Sequence, residues 1–356
     1  MSFNNQSILG VPTNVITGFL GVGKTSAILH LLANKPEGKR WAVLVNEFGE
    51  IGVDGSLVQG LQYDKTQVFI REVPGGCMCC AAGVPMKIAL NQLLLKAKPD
   101  RLLIEPTGLG HPKEVMVVLS SEHYREVLSL QKNITLVDAR HLSDARYTNH
   151  DTFNQQVAIA DTVVGNKVDL YQNGDLQKLA SYVAEVSRPN TKVILAEDGK
   201  FSLSELDGSD TIHEHSIAGD HLLDHDYSHE HHHAHSHTDN HVHNVKKPLA
   251  SEAIIPEIGM LKAMNEGEGF YSVGWRFSSN KIFDHQKLIS FFTKLSELKV
   301  ERMKAAMITD KGFFGYNLTL DGFTETSLNA CSESRIELIA DTVDESFEIQ
   351  LLKCIK

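Results

Sequence analysis

The sequence has little that would carry it into a membrane or onto a nucleic acid. No run of about 18 apolar residues occurs, so no membrane-spanning helix is expected. The first residues, Met1-Ser2-Phe3-Asn4-Asn5-Gln6-Ser7, lack the basic and apolar regions of a signal peptide. Basic charge is scarce: 34 Lys and Arg stand against 45 Asp and Glu, for a net charge of −11, and Lys/Arg clusters are absent. That balance argues against nucleic acid as a main partner, because there is no cationic excess to displace counterions from phosphates. Cysteine is scarce as well, five residues in 356. We expect a cytoplasmic chain with no membrane partner. Its thiols are then reduced, and a cluster among them points to metal or redox chemistry, not to disulfides. No internal repeat is visible.

What is present fits a globular protein of more than one domain. Hydrophobic residues make up 42% of the chain, and 356 residues is long for a single core. Up to about residue 200, short apolar runs alternate with amphipathic stretches. Asn14–Thr17, Trp41–Val45, Gln67–Ile70, Arg101–Ile104, Ile134–Val137, Thr162–Val164 and Lys192–Leu195 read as strands, with helices such as Pro85–Lys98 and Asp175–Ser187 between them. Such alternation gives an α/β domain, a mostly parallel sheet with helices on both faces. Composition then changes. Between Phe201 and Val245 there is no Lys or Arg, and 12 of the 18 histidines fall there among Asp and Glu. Large apolar residues are too few to offset the entropy of ordering, so 201–250 is expected to be a flexible His/Asp-rich linker. From 251 to 356 a small α+β domain is expected. Phe270–Phe277, Phe313–Leu320 and Ser346–Leu352 read as strands, and Phe283–Leu298 as an amphipathic helix.

Gly18-Phe19-Leu20-Gly21-Val22-Gly23-Lys24-Thr25 fits G-x-x-x-x-G-K-[ST] between a short apolar strand and a helical stretch that begins with Ser26. That is a phosphate-binding P-loop in the right context. Its glycines let backbone N–H groups turn inward on phosphate oxygens at a helix N-terminus. Lys24 reaches the β/γ-phosphates, and the Thr25 hydroxyl ligates Mg²⁺. Asn166-Lys167-Val168-Asp169 follows an apolar strand and is the guanine-reading N-K-x-D pattern. The Asp169 carboxylate can accept two hydrogen bonds from guanine, whereas adenine would leave it desolvated and unpaired. GTP is therefore the expected nucleotide. Glu105 ends the strand Arg101–Ile104, the place of a Walker B carboxylate that orients Mg²⁺. Asn46-Glu47-Phe48-Gly49-Glu50-Ile51-Gly52-Val53-Asp54 suits a switch that senses the γ-phosphate, with Glu47 or Asp54 placing the attacking water or joining the Mg²⁺ shell.

Gly75-Gly76-Cys77-Met78-Cys79-Cys80 puts three thiols within four residues. Thiolates at that spacing suit Zn²⁺, with Co²⁺, Ni²⁺ or Cu⁺ as alternatives, and the helix expected after them favours the deprotonated form. Tetrahedral Zn²⁺ needs a fourth ligand, from Glu47, Glu50, a histidine or water. A redox site and small buried hydrophobes are the other readings of the cluster. The histidine tract is a second metal signal, of weak and plural kind. Cys331 and Cys354 are isolated and read as ordinary core residues.

In order, G-F-L-G-V-G-K-T, N-E-F-G-E-I-G-V-D, G-G-C-M-C-C, E-P-T-G and N-K-V-D resemble the CobW-like metal-chaperone GTPases, relatives of the GTPases that mature hydrogenase and urease. The resemblance implies that Gly18 to Thr25 bind phosphates and Mg²⁺, and that Asn166, Lys167 and Asp169 read guanine. It implies that Cys77, Cys79 and Cys80 hold a cargo metal, Zn²⁺ or Co²⁺. It implies delivery of that metal to a client metalloprotein under GTP control. Pro106 stands where a small or hydroxyl residue is commoner, and Arg302-Met303-Lys304-Ala305 where the family often has R-x-K-G. Two other readings stay open. One is a metal buffer using the histidine tract, with the nucleotide domain as scaffold. The other is an ATP-dependent enzyme, against which Asp169 argues. A homo-oligomer is compatible with all three.

Overall fold

The computed structural model describes residues 8–45, 67–73, 84–208, 250, 253–267, 270–295, 300–319, 321–340 and 346–356. The first unit opens on β1 (Val11–Gly18), almost every residue of which is buried, as expected of a strand covered on both faces. There follow α1 (Lys24–Ala33), β2 (Trp41–Val45), β3 (Val68–Glu72), α2 (Val84–Ala97), β4 (Arg101–Glu105), α3 (Pro112–Leu119), β5 (Leu128–Leu130) and β6 (Ile134–Val137). Then come α4 (Ala145–Thr148), α5 (Asp151–Ala158), β7 (Thr162–Gly165), α6 (Asp175–Val186) and β8 (Lys192–Leu195). The strands run in the order β3-β2-β4-β1-β6-β7-β8, with β5 also against β1, and every pairing is parallel. This is the α/β sheet expected. The chain winds outward from β1 in both directions, so the carboxyl end of β1 is the point where strand order reverses and ligands bind.

The seven strands read from sequence are found to within a few residues, and α2 and α6 lie where helices were expected. β5 and the helices α3 to α5 are additional, being too short to show a clear period. The packed chain continues beyond the compositional change. Phe201 and Leu206 are buried in the core over α1, and the Asn14 side chain donates to the Leu206 carbonyl at 2.7 Å. Residues 209–249, with nearly all of the histidine tract, lie outside the described residues.

The second unit has β9 (Met260–Gly267), β10 (Phe270–Phe277), α7 (His285–Leu295), β11 (Val300–Thr309), β12 (Gly312–Thr319), β13 (Gly322–Leu328), β14 (Ser334–Ala340) and α8 (Ser346–Leu352). Its strands form an antiparallel sheet in the order β13-β12-β11-β14-β10-β9. Leu288, Phe292 and Leu295 of α7 and Leu351 of α8 are buried on one face of that sheet. Here the sequence reading needs correction. Ser346–Leu352 is a helix, because its buried Phe347 and Leu351 are four residues apart and share one helical face. The helix expected from Phe283 begins at His285 instead, and Phe283 bridges Thr309 and Ile355 in extended backbone. Among the described residues no helix is long and apolar enough to cross a membrane.

Candidate nucleotide site

The loop after β1 takes its shape from glycines that nothing else could replace. Gly18 ends the strand at φ +145°, and Gly23 precedes α1 at φ +101°. A Cβ at Gly18 would lie 2.6 Å from the Leu136 carbonyl oxygen, and one at Gly23 would lie 2.5 Å from Asn166 Nδ2. Both the left-handed backbone and the close approach demand glycine. No side chain caps α1 at Gly23, so the first-turn N–H groups face the loop. Lys24 is buried, and its ammonium donates to the carbonyls of Gly18 at 2.9 Å and Phe19 at 3.2 Å. The loop therefore wraps a fixed cation and ends on a helix N-terminus, an arrangement made for phosphate. Val22 is buried beneath the loop, and Ser26 is exposed on the first turn of α1.

Thr25 and Glu105 meet. The Thr25 hydroxyl donates to Glu105 Oε1 at 3.1 Å, and that carboxylate is 3% exposed at the end of β4. A hydroxyl and a buried carboxylate side by side are hard oxygen donors, the chemistry Mg²⁺ selects. Thr107, two residues on, is buried with a hydroxyl that has no partner among the described residues. A Cβ on Gly108 would lie 3.1 Å from Lys24 Nζ, so this box packs directly against the P-loop.

At the other end Asn166 plays a structural part that its motif does not announce. Its amide donates to the Val22 carbonyl at 2.8 Å and accepts from the Gly199 N–H at 2.8 Å, tying the P-loop to the loops after β7 and β8. Lys167 adopts a left-handed backbone, φ +61°, which carries the chain over from strand to turn. Its ammonium pairs with Asp321 and lies 3.7 Å from Asp138. Asp169 is exposed.

Sequence reading missed Asp138, Arg140, His141 and Asp321. Asp138 carries the same signature as Glu105, a carboxylate closing an apolar strand, here β6. It accepts from Arg140 at 2.6 Å and from the Arg140 backbone N–H at 3.1 Å. Arg140 also pairs with Asp321 at 2.6 Å, and the Asp138 bond above all holds its guanidinium well above its ordinary pKa. Burial pushes the Asp321 carboxyl up, but Lys167 and Arg140 together outweigh it, so its pKa lies below the usual carboxylate range. His141 stacks on Tyr147 with ring centroids 4.5 Å apart, and burial lowers its pKa against the pull of Asp138.

Glu47, Glu50, Asp54, Cys77, Cys79 and Cys80 lie outside the described residues. The strands that lead to them are in place. Val45 ends β2 in register with Glu72 on β3 and with Glu105 on β4, so the chain leaves for both segments from the sheet edge that carries the P-loop. Cys354 is buried and Cys331 half-buried, and desolvation raises both thiols above their ordinary pKa, as inert core residues require.

The profile of the CobW/HypB/UreG nucleotide-binding domain matches residues 12–194. The zinc chaperone YeiR of Escherichia coli K12 is 38% identical over 331 residues, 93% of this chain and 93% of its own. The zinc chaperone CobW of Pseudomonas aeruginosa is 29% identical over 247 residues, 59% of this chain and 66% of its own. Among solved structures, the Zn(II)-bound YjiA GTPase from E. coli spans 98% of this chain and 99% of its own at 19% identity, with a TM-score of 0.41, a likeness too loose to fix geometry. The profile match over half the chain and the 38% identity over nearly all of it establish that the chain belongs to the CobW/HypB/UreG family.

Proposed function

We propose that this chain is a GTP-hydrolysing metallochaperone that binds a transition metal, Zn²⁺ first, and passes it to a client metalloprotein under nucleotide control. The observation that carries the nucleotide half is the Thr25–Glu105 pair set behind a glycine-shaped loop that wraps the Lys24 ammonium. Gly18 to Ser26 bind the phosphates, and Asn166, Lys167 and Asp169 stand at the guanine end. Thr25 and Glu105 would hold Mg²⁺, which supplies charge to the β- and γ-phosphates. Glu47 or Asp54 places water.

The metal half rests on Cys77, Cys79 and Cys80, with Glu50 as fourth donor. Family membership and two zinc-chaperone relatives support it. So does the register of β2 and β3, whose last residues Val45 and Glu72 lie alongside Glu105 at the end of β4. In this reading the GTPase domain runs to about residue 208, the histidine-rich linker follows it, and 251–356 form the C-terminal domain.

The test is a Zn²⁺ and Co²⁺ titration of the reduced protein, with and without a non-hydrolysable GTP analogue, read by cobalt–thiolate absorption. One tight site that strengthens with the analogue is expected, and it should vanish when Cys77, Cys79 and Cys80 are changed to Ser. Linkage requires that the metal strengthen analogue binding by the same factor. Weak, multiple sites indifferent to nucleotide and to the cysteines would instead make the histidine tract the metal binder and the protein a buffer. In the same preparation Asp169→Asn should weaken GTP binding by about a hundredfold, because a carboxylate reading two donors becomes an amide that clashes with one.

A further inference from the structure

The nucleotide site is shared by both sheets. Alternate residues of β11 point to opposite faces. Met303, Ala305 and Met307 enter the core under the helices, while Arg302 and Lys304 turn the other way and are still 7% and 9% exposed. Both face the P-loop across a cavity. The cavity, of about 200 Å³, is lined on one side by Gly23, Lys24, Thr25 and Glu105 and on the other by Arg302 and Lys304. Lys304 Nζ donates to the Thr25 hydroxyl oxygen at 3.2 Å, the same oxygen whose proton goes to Glu105. Nearby, Ile339 of β14 joins the apolar cluster of Phe19 and Leu20, and Asp321 pairs with Lys167 and Arg140 at the base end. The antiparallel sheet thus grips the nucleotide site at both ends.

The ammonium of Lys304 lies on a hydroxyl oxygen that is itself bonded to a buried carboxylate. That is the environment a divalent cation at this site would use. One ammonium and one divalent ion cannot both be held at Thr25 Oγ1, since they compete for its lone pairs and repel each other at short range. We propose that Lys304 is a built-in competitor for the Mg²⁺ site: its ammonium holds the C-terminal sheet on Thr25 when nucleotide is absent, and binding of Mg²⁺ with nucleotide displaces it. The inference rests on the assignment of Thr25 and Glu105 to Mg²⁺ given above. It makes the C-terminal domain the element that senses nucleotide occupancy. Displacement of Lys304 removes one polar anchor of the sheet while leaving those of Asp321 on Lys167 and Arg140 and of Glu301 on Arg146 in place.

The experiment measures binding of a fluorescent, non-hydrolysable GTP analogue in Mg²⁺ and in EDTA, for the full chain and for Lys304→Met and Lys304→Gln. Both variants lose the competing charge, and the second keeps a hydrogen-bond donor for Thr25. The ratio of the EDTA to the Mg²⁺ dissociation constant is expected to rise about tenfold in both, an ordinary coupling between two groups at one site. Lys304→Arg, which keeps the charge, should stay near the original ratio. Amide exchange in Val300–Thr309 should quicken when the analogue binds with Mg²⁺ and not when it binds in EDTA. A ratio unmoved in Met and Gln variants that still bind the analogue overturns the inference. So does weaker Mg²⁺-dependent binding in them, which would make Lys304 a phosphate ligand. A parent chain that binds no analogue under either condition overturns the nucleotide assignment itself, and this inference with it.

Discussion

Asn166 shows how one buried side chain ties distant loops together. Its amide bridges the Val22 carbonyl and the Gly199 N–H, two backbone groups from loops far apart in sequence. At 1% exposure, water cannot replace either bond. Asn166→Ala leaves a buried acceptor and a buried donor without partners, each costing about 1–3 kcal/mol. Denaturant unfolding should therefore show a loss of roughly 2–4 kcal/mol, and GTP affinity should fall with it because the P-loop loses its tether. Asn166→Asp keeps the acceptor for Gly199 but points a carboxylate at the Val22 carbonyl, so it should be no better tolerated. A variant as stable as the parent would show that the two loops hold their positions without this bridge. The residues around it were unevenly legible. Lys24, Thr25, Glu105, Asn166 and Lys167 sit in motifs with fixed spacing, and spacing survives in sequence. Asp321 and Lys304 reach the site from more than a hundred residues away by way of sheet packing. Only a positional hint existed, the departure from R-x-K-G at Arg302–Ala305.

At the scale of elements, parallel strands were easy to read because each is a short apolar run closed by a polar loop. Trp41–Val45 and Ile134–Val137 are found without change. The C-terminal sheet was harder, because its strands alternate weakly. β13, for example, keeps only Leu328 buried. The misread element is α8, where a seven-residue span carries apolar residues at too few positions to separate a period of 2 from one of 3.6. Its contribution is nevertheless concrete. Phe347 and Leu351 are buried in the core of the second sheet, beside Phe283 and Trp275, and Glu348 accepts from Trp275 Nε1 at 3.2 Å. Leu351→Ala should cost about 2–5 kcal/mol, as large-to-small changes in a packed core do. Far-UV and near-UV circular dichroism during thermal unfolding would show it as an earlier transition. If the two sheets melt separately, only the transition of the C-terminal unit should move.

At the scale of the whole molecule, the contact between the two units is sealed by charge at one end and by apolar packing in the middle. His141 lies at the charged end, where Asp138, Arg140, Lys167 and Asp321 all act on it and its ring stacks on Tyr147. Burial is the largest influence and lowers the imidazole's pKa, with the Asp138 attraction partly offset by Arg140 and Lys167. The folded chain therefore binds fewer protons at His141 than the unfolded chain does. Stability from this group is present above its unfolded pKa of about 6.5 and is lost as pH falls through and below that value. Asp321 acts lower on the scale. Its folded pKa is depressed, so its contribution is present above the unfolded carboxylate value of about 4 and is lost as pH falls below it. The melting temperature of the nucleotide-free protein should then decline in two stages, one starting near pH 6.5 and one near pH 4. The measurement is the difference in melting temperature between parent and variant. The parent should lose melting temperature relative to His141→Gln, which cannot be protonated, as pH falls from about 7 to 5, and Asp321→Asn should flatten the lower stage alone. Parent and His141→Gln curves that run parallel from neutral to acid pH would show that His141 has the same proton affinity folded and unfolded. The charged seam would then lie open to water, contrary to the packing of His141 on Tyr147 and to the ion pairs of Asp321 with Lys167 and Arg140.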